Sequence, residues 1–266
     1  MQTESEIKMS INKYIGIFKF SLKKSLNFKL NYFTILLSYT IHIFTLSCLW
    51  EYILKGKLLV GYSKVELIWY ITMAEFIMYS CKGVYRRIGE MIRNGNIANM
   101  LIRPANFVIY IFSEECSNLV QICVNAFFGI LLGLIFAGTI NVTITGLIFV
   151  FASVIIAIII QILLQIMIGL IAFFTEENKA FYLILSKMQL LLVLTPIELY
   201  PNLVQKFFFC LPVTYSIYVP SKLLVHFNLA NGAKLLFLEL LSLIVLIGIV
   251  AILYKKGVKR INVNGG

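Results

Sequence analysis

Apolar residues along this chain come in long unbroken runs rather than in the alternation of a half-buried sheet. Six runs approach or exceed the roughly 20 residues that carry a helix across a bilayer at about 1.5 Å per residue. They fall at 32–53, 65–85, 107–137, 144–174, 181–199 and 235–254. The pattern predicts an all-α polytopic membrane protein with six transmembrane helices. Two segments fit neither span nor loop. Between 7 and 30, Ile7, Ile11, Tyr14, Phe18, Leu22 and Leu26 recur at steps of three or four, with Lys13, Lys23 and Lys24 on the other side. That is the signature of a helix lying in a membrane interface. Between the fifth and sixth runs stand Pro196, Pro201, Pro212 and Pro220, enclosing the apolar stretch 203–211. It is too short to cross and too apolar for a solvated loop, so a re-entrant helical hairpin punctuated by prolines is expected.

The basic residues set the expected orientation. With the N-terminus inside, 17 of the 23 Lys and Arg fall on the inner side, in the arm, the loop after the second run, the loop after the fourth and the tail. The positive-inside bias then places both termini in the cytoplasm. The chain divides into an interfacial arm (1–31), a six-span domain (32–254) and a basic tail (255–266). No signal peptide is expected in the first 31 residues, because no apolar stretch there precedes a small-residue cleavage site. The loop after the second run is the most structured inner element. Ile88, Met91 and Ile92 recur at helical spacing among Arg87, Glu90, Arg93 and Asn94, Gly95 permits a turn, and Pro104 restarts the chain. This reads as a short amphipathic helix along the membrane boundary.

Composition agrees and then excludes. The 266 residues are 60% hydrophobic and 13% charged, with a mean hydropathy of +0.92. A soluble domain has about 25% charged residues. All 12 acidic residues are Glu, so paired-Asp metal sites, EF-hands and an Asp-based nucleotide-metal site are ruled out. The net charge of +11 belongs to basic membrane flanks, not to a nucleic-acid surface. The five cysteines form no C-x-x-C pair and the two histidines, His42 and His226, lie far apart, so no metal cluster is expected. There is no phosphate-cradling Gly-rich loop ending in Lys-Ser or Lys-Thr and no nucleophile elbow. The chain carries no catalytic site of its own.

Polar residues inside apolar runs are costly and mark function or packing. Glu114, Asn118, Gln121 and Asn125 are spaced to share one face of the third helix, with Glu115 beside it. They are read as a translocation wall, a subunit seam, or hydrogen-bonded packing. Ser153, Ala157, Gln161, Gln165 and Gly169 step by four along the fourth helix, a pattern that favours close helix contact. Glu75 near the middle of the second run must be protonated, paired or wet. By depth, His42 of the first run is a candidate partner, and such a pair would suit a proton-coupled carrier.

Several marks in fixed order resemble the ABC-2 type permeases of ATP-driven exporters. They are Gly61-Tyr-Ser, Ile92-Arg-Asn-Gly-Asn-Ile, Leu101-Ile-Arg-Pro104, the Pro196–Pro201 segment, Leu211-Pro212, Pro220, and the tail from Lys259 to Gly266. Asn94, Asn96 and Asn99 stand where relatives often carry an acidic residue near the turn. The resemblance implies a permease subunit paired with a second copy or paralogue in a bacterial plasma membrane. It implies an N-terminal elbow helix, re-entrant outer helices, and a coupling helix docked on an ATP-binding subunit. Docking would fall to Arg87, Glu90, Ile92, Arg93, Gly95 and Arg103. ATP and Mg would be bound by that partner and no cofactor by this chain, and an amphiphilic cargo would move outward. A proton-coupled carrier using Glu75 and a non-transporting immunity or scaffold subunit stand as alternatives. The topology is checked by labelling single cysteines, in a background without the native ones, with an impermeant thiol reagent. A cysteine at Asn141 is expected to label from outside, and cysteines at Asn99 and Asn264 only from inside. Outside labelling at Asn264 would make the span count odd.

Overall fold

The structure, a computed structural model, describes residues 29–55, 59, 61–81, 83–101, 106–175 and 177–264, together with 15, 16, 18 and 19. The amphipathic arm expected over 7–30 lies almost wholly outside the described residues, as do Arg103 and Pro104. Among the described residues the fold is all-α. In chain order the helices are α1 (Lys29–Leu54), α2 (Lys64–Tyr79), α3 (Val84–Arg93), α4 (Ile97–Leu101), α5 (Phe107–Cys116) and α6 (Leu119–Phe136). Then come α7 (Ile144–Ile171), α8 (Lys179–Leu194), a 3-10 turn (Ile197–Leu199), α9 (Asn202–Phe209), α10 (Pro212–Val225) and α11 (Leu229–Asn264).

Local chemistry starts these helices. Ser63 and Glu66 form a reciprocal capping box on α2, with Ser63 N donating to Glu66 Oε2 at 2.7 Å. Asn106 Oδ1 accepts from Val108 N at 2.9 Å at the head of α5, and Thr143 Oγ1 accepts from Gly146 N at 3.1 Å at the head of α7. Pro212 occupies the first turn of α10, where its missing N–H costs nothing.

Two helices are long and apolar enough to cross a membrane alone, over Ile144–Ile171 and Leu229–Arg260. Two bent pairs pass the same test together: Phe107–Cys116 with Gln121–Phe136, bent by 46°, and Asn202–Phe209 with Pro212–Val225, bent by 107°. The described residues therefore hold two to four candidate spans. The third apolar run, expected as one helix, is broken at Ser117 and Asn118. The second run stops at Tyr79, and Gly83 in the left-handed region (φ +83°) turns the chain into α3. The last run extends in both directions, so the basic segment after 254 continues the same helix to Asn264.

The central helix is α7, which packs against α11, α10 and α3. Its four-residue ladder of Ser153, Ala157, Gln161, Gln165 and Gly169 is buried throughout. Gly169 lets α3 approach, because a Cβ there would sit 2.7 Å from Ile88 Cβ. Gly169→Val is expected to destabilise the detergent-solubilised protein by about 1–3 kcal/mol through overpacking. Gly248→Ala, whose added methyl meets nothing within 4 Å, should leave the thermal midpoint unchanged or raised. An unchanged midpoint in Gly169→Val would show that this contact does not hold α3.

Candidate functional site

At the end of the bundle that carries α3, the helix is gripped on one side and open on the other. Asn178 Nδ2 donates to Tyr85 O at 2.9 Å, and Tyr85 N donates to Gln165 Oε1 at 3.4 Å. The Tyr85 ring stacks on Tyr182, with centroids 3.8 Å apart and planes 10° from parallel. Arg93 reaches Glu177 at 3.6 Å across the surface. On the open side Glu90, Arg93 and Gly95 are exposed, while Ile92 is half-buried. Gly95 adopts φ +69° in the turn to α4.

Arg87 points elsewhere. Its guanidinium forks onto two successive carboxylates at the end of α5, with Nη1 3.1 Å from Glu114 Oε1 and Nη2 2.8 Å from Glu115 Oε1. Asn118 Nδ2 donates to Glu115 Oε2 at 3.2 Å. The backbone tightens at this place: Ser117 N donates to Glu114 O at 3.2 Å and Asn118 N to Glu115 O at 3.0 Å. The Ser117 hydroxyl donates to the Glu114 carbonyl at 2.5 Å, the back-bonding that bends helices. The stripe expected of Glu114, Asn118, Gln121 and Asn125 therefore runs across the break between α5 and α6. The first two belong to a charged joint at a helix break. Asn125 is buried on α6 and donates to Tyr79 O at 3.4 Å, and Gln121 is half-buried. The continuous helix assumed for the stripe is interrupted at Ser117 and Asn118.

Deeper in the bundle, Glu75 of α2 meets His42 of α1, with Oε1 3.3 Å from Nδ1. Tyr79 Oη lies 3.1 Å from the same nitrogen. The Glu75 side chain is 1% exposed and its Oε2 has no partner, whereas the His42 side chain is 48% exposed. Tyr39 closes the floor by donating to Thr72 O at 2.7 Å.

Two assemblies escaped the reading of the sequence. Glu239 of α11 is buried against α7 and accepts from Ser153 Oγ at 2.7 Å. A lone carboxylate within the last apolar run was the available signal, as it was for Glu75. At the end of α2 opposite α3, Lys222 of α10 lies 2.7 Å from Glu198 Oε1 and donates to Tyr62 Oη at 2.8 Å. Tyr218 Oη also donates to Glu198, at 2.7 Å, and His226 Nε2 lies 3.1 Å from Glu66 Oε1. The network ties α2, the 3-10 turn and α10 together. Its signal was the Lys222–His226 spacing of four inside a proline-rich segment. Lys222 and His226 also line a cavity of about 530 Å³ with Asn141, Thr143 and Asn228. No group of three metal-ligating side chains occurs among the described residues.

The sequence profile of ABC-2 family transporter proteins matches residues 17–265. The chain belongs to the ABC-2 transporter family. The match covers the described helices from α1 to α11. No curated protein and no solved structure matches the chain. As an ABC-2 protein it is a multi-pass membrane subunit of a transporter and not itself a catalyst.

Removing Arg87 would leave Glu115, 8% exposed at its side chain, as an uncompensated buried charge. Arg87→Met is expected to lower stability by about 1–3 kcal/mol. The double variant Arg87→Met/Glu115→Gln should recover part of that loss in thermal unfolding, because the stranded charge is gone. Additive losses in the double variant would mean that the two side chains are not coupled.

Proposed function

We propose that this chain is the permease subunit of an ATP-driven exporter, moving an amphiphilic cargo outward with ATP and Mg bound by a separate ATP-binding subunit. The observation that carries the reading is the family match over residues 17–265. The form of α3, gripped by α7 and α8 contacts on one face and exposed at Glu90, Arg93 and Gly95 on the other, supports its assignment as the coupling helix. Arg87 then passes displacement of α3 to the bend between α5 and α6. Arg103 would extend the docking face beyond the described residues.

The proposed arrangement has six spans: α1, α2, the α5–α6 pair, α7, α8 and α11. The sharply bent α9–α10 pair is a re-entrant hairpin on the outer side, and the N-terminal arm is an elbow helix on the inner side. Both termini face the cytoplasm of a bacterial cell, and a second permease copy or paralogue completes the path. The cargo route is assigned to α1, where Thr34, Ser38, His42, Thr45 and Cys48 form an exposed stripe at steps of three and four. Glu75 backs that stripe. Glu114, Asn118 and Asn125 are engaged at the bend and its flank, and Gln121 is the half-buried member left for path or seam.

The contact between His42 and Glu75 favours a second reading, a carrier driven by a proton gradient. Inside-out vesicles separate the two: ATP with the added ATPase drives the first, and a proton gradient alone drives the second. For the coupling helix, single charge swaps are weak tests because exposed ion pairs are worth about 0–1 kcal/mol. Ile92→Asp with Arg93→Glu attacks packing and charge together. This variant is expected to insert and to pair with its second permease subunit, but to lose co-purification of the ATPase and cargo-stimulated ATP hydrolysis. Full retention of both would remove α3 as the coupling element and move it to the loop around Glu177.

A further inference from the structure

Lys187 is a cation without an answering charge. It lies within α8, eight residues beyond Lys179, or about 12 Å along the axis at 1.5 Å per residue. Leu183, Ile184 and Leu191, one turn to either side of it, are exposed and apolar. Lys187 makes no hydrogen bond and no ion pair among the described residues. Where α8 crosses a membrane, such a cation is costly against hydrocarbon and must meet water or an anion.

The space beside it is built for a small polar group. Lys187 lines a cavity of about 210 Å³ with Met78 of α2, Gln165 of α7, and Tyr182, Ser186 and Gln189 of its own helix. It is the one charged side chain in that wall. Gln189 is buried, and its Nε2 is spent on Gln161 Oε1 at 2.8 Å. Its own Oε1 accepts no hydrogen bond among the described residues. The wall therefore offers a full positive charge beside an amide acceptor for a hydroxyl. Pockets for drug-sized ligands measure about 300–1,000 Å³, so this cavity takes a compact head and not a whole molecule. An apolar tail has the exposed Leu183, Ile184 and Leu191 to lie on.

The same wall grips α3. Gln165 Oε1 accepts from Tyr85 N at 3.4 Å, and Tyr182 stacks on the Tyr85 ring with centroids 3.8 Å apart. Whatever sits against Gln165 and Tyr182 is thus one residue away from α3. We propose that this cavity is an inner loading site for an amphiphile with a compact anionic head, a phosphate or carboxylate held by Lys187. Its occupancy is felt at α3 through Gln165 and Tyr182. This rests on the reading of the chain as a permease with α8 as a span and α3 as its coupling helix.

Two measurements on the purified full chain test it, and neither needs the ATPase. First, native mass spectrometry compares binding of dodecyl phosphate, dodecyltrimethylammonium and inorganic phosphate. A preference of about tenfold for dodecyl phosphate over the cationic amphiphile is expected, the order given by one hydrogen bond to an ionised group. Lys187→Met should abolish the preference and Lys187→Arg should keep it. Ser186→Phe, which fills the cavity and leaves the lysine, should abolish it too. A preference that survives Lys187→Met or Ser186→Phe overturns the proposal. So does one lost equally in Lys234→Met, which removes an exposed lysine of α11. Inorganic phosphate binding as tightly as dodecyl phosphate would leave the tail no place and overturn the amphiphile. A Lys187→Met variant that changes only the oligomeric state would put Lys187 in a seam between copies and overturn it as well. Second, hydrogen exchange follows the Tyr85 amide, which donates to Gln165. With dodecyl phosphate at ten times its dissociation constant, exchange there should slow by about tenfold, because opening that dismantles the wall releases the ligand. Unchanged exchange at saturation overturns the link to α3. If ATP-driven transport fails while both results hold, the permease reading falls and the anion site stands.

Discussion

Helices surrounded by hydrocarbon gain nothing from the hydrophobic effect when they meet, so close fit and internal hydrogen bonds must hold them. The rest of this structure depends on how α7 answers that constraint. One face of α7 carries only small or amide side chains, and each does a different task. Gly169 admits Ile88 of α3. Gln165 accepts from the first turn of α3 at Tyr85. Gln161 donates to Ser216 of α10 at 3.2 Å and accepts from Gln189 of α8 at 2.8 Å. Ser153 donates to Glu239 of α11. Four neighbouring helices are thus placed by polar or steric contact with one face of a single helix.

What the sequence made legible follows from these same rules. The apolar runs located α1, α7 and the core of α11, since length and hydropathy suffice for helices that need no partner to be helical. The ladder on α7 was visible because its step of four lies close to the helix period of about 3.6 residues. The break after Cys116 was not visible, because apolar residues continue on both sides and Ser117 is unremarkable alone. Its charged partner lies 27 and 28 residues earlier, in Arg87, whose reach to Glu114 and Glu115 is purely tertiary. The same holds for Lys222, which finds Tyr62 from 160 residues away. Periodicity reports which face of an element is buried, and not which charged partner another element brings to it.

Some of the candidate residues of the coupling loop and of the third apolar run meet in space. Arg87 joins the two, since it leaves the exposed face of α3 and grips the end of α5. Glu75 is a neighbour of α1 and not of the Glu114 joint. Beside the polar contacts of α7, the bundle holds a joint near α3, a His–carboxyl pair deeper in, and a charged network at the far end of α2. Each lies where two or more elements meet, so each reports on relative helix position.

The bend in the α5–α6 pair has a mechanical consequence. Helix α6 has 18 residues, which makes it a rigid arm of about 27 Å at 1.5 Å per residue. At its pivot, Ser117 and Asn118 donate to carbonyls three residues back rather than four, and side-chain bonds from Ser117 and Asn118 join them. Each degree of change at that pivot displaces the far end of α6 by about half an ångström over such a length. Any change of angle at that pivot therefore displaces α6 least beside Arg87 and most at its opposite end.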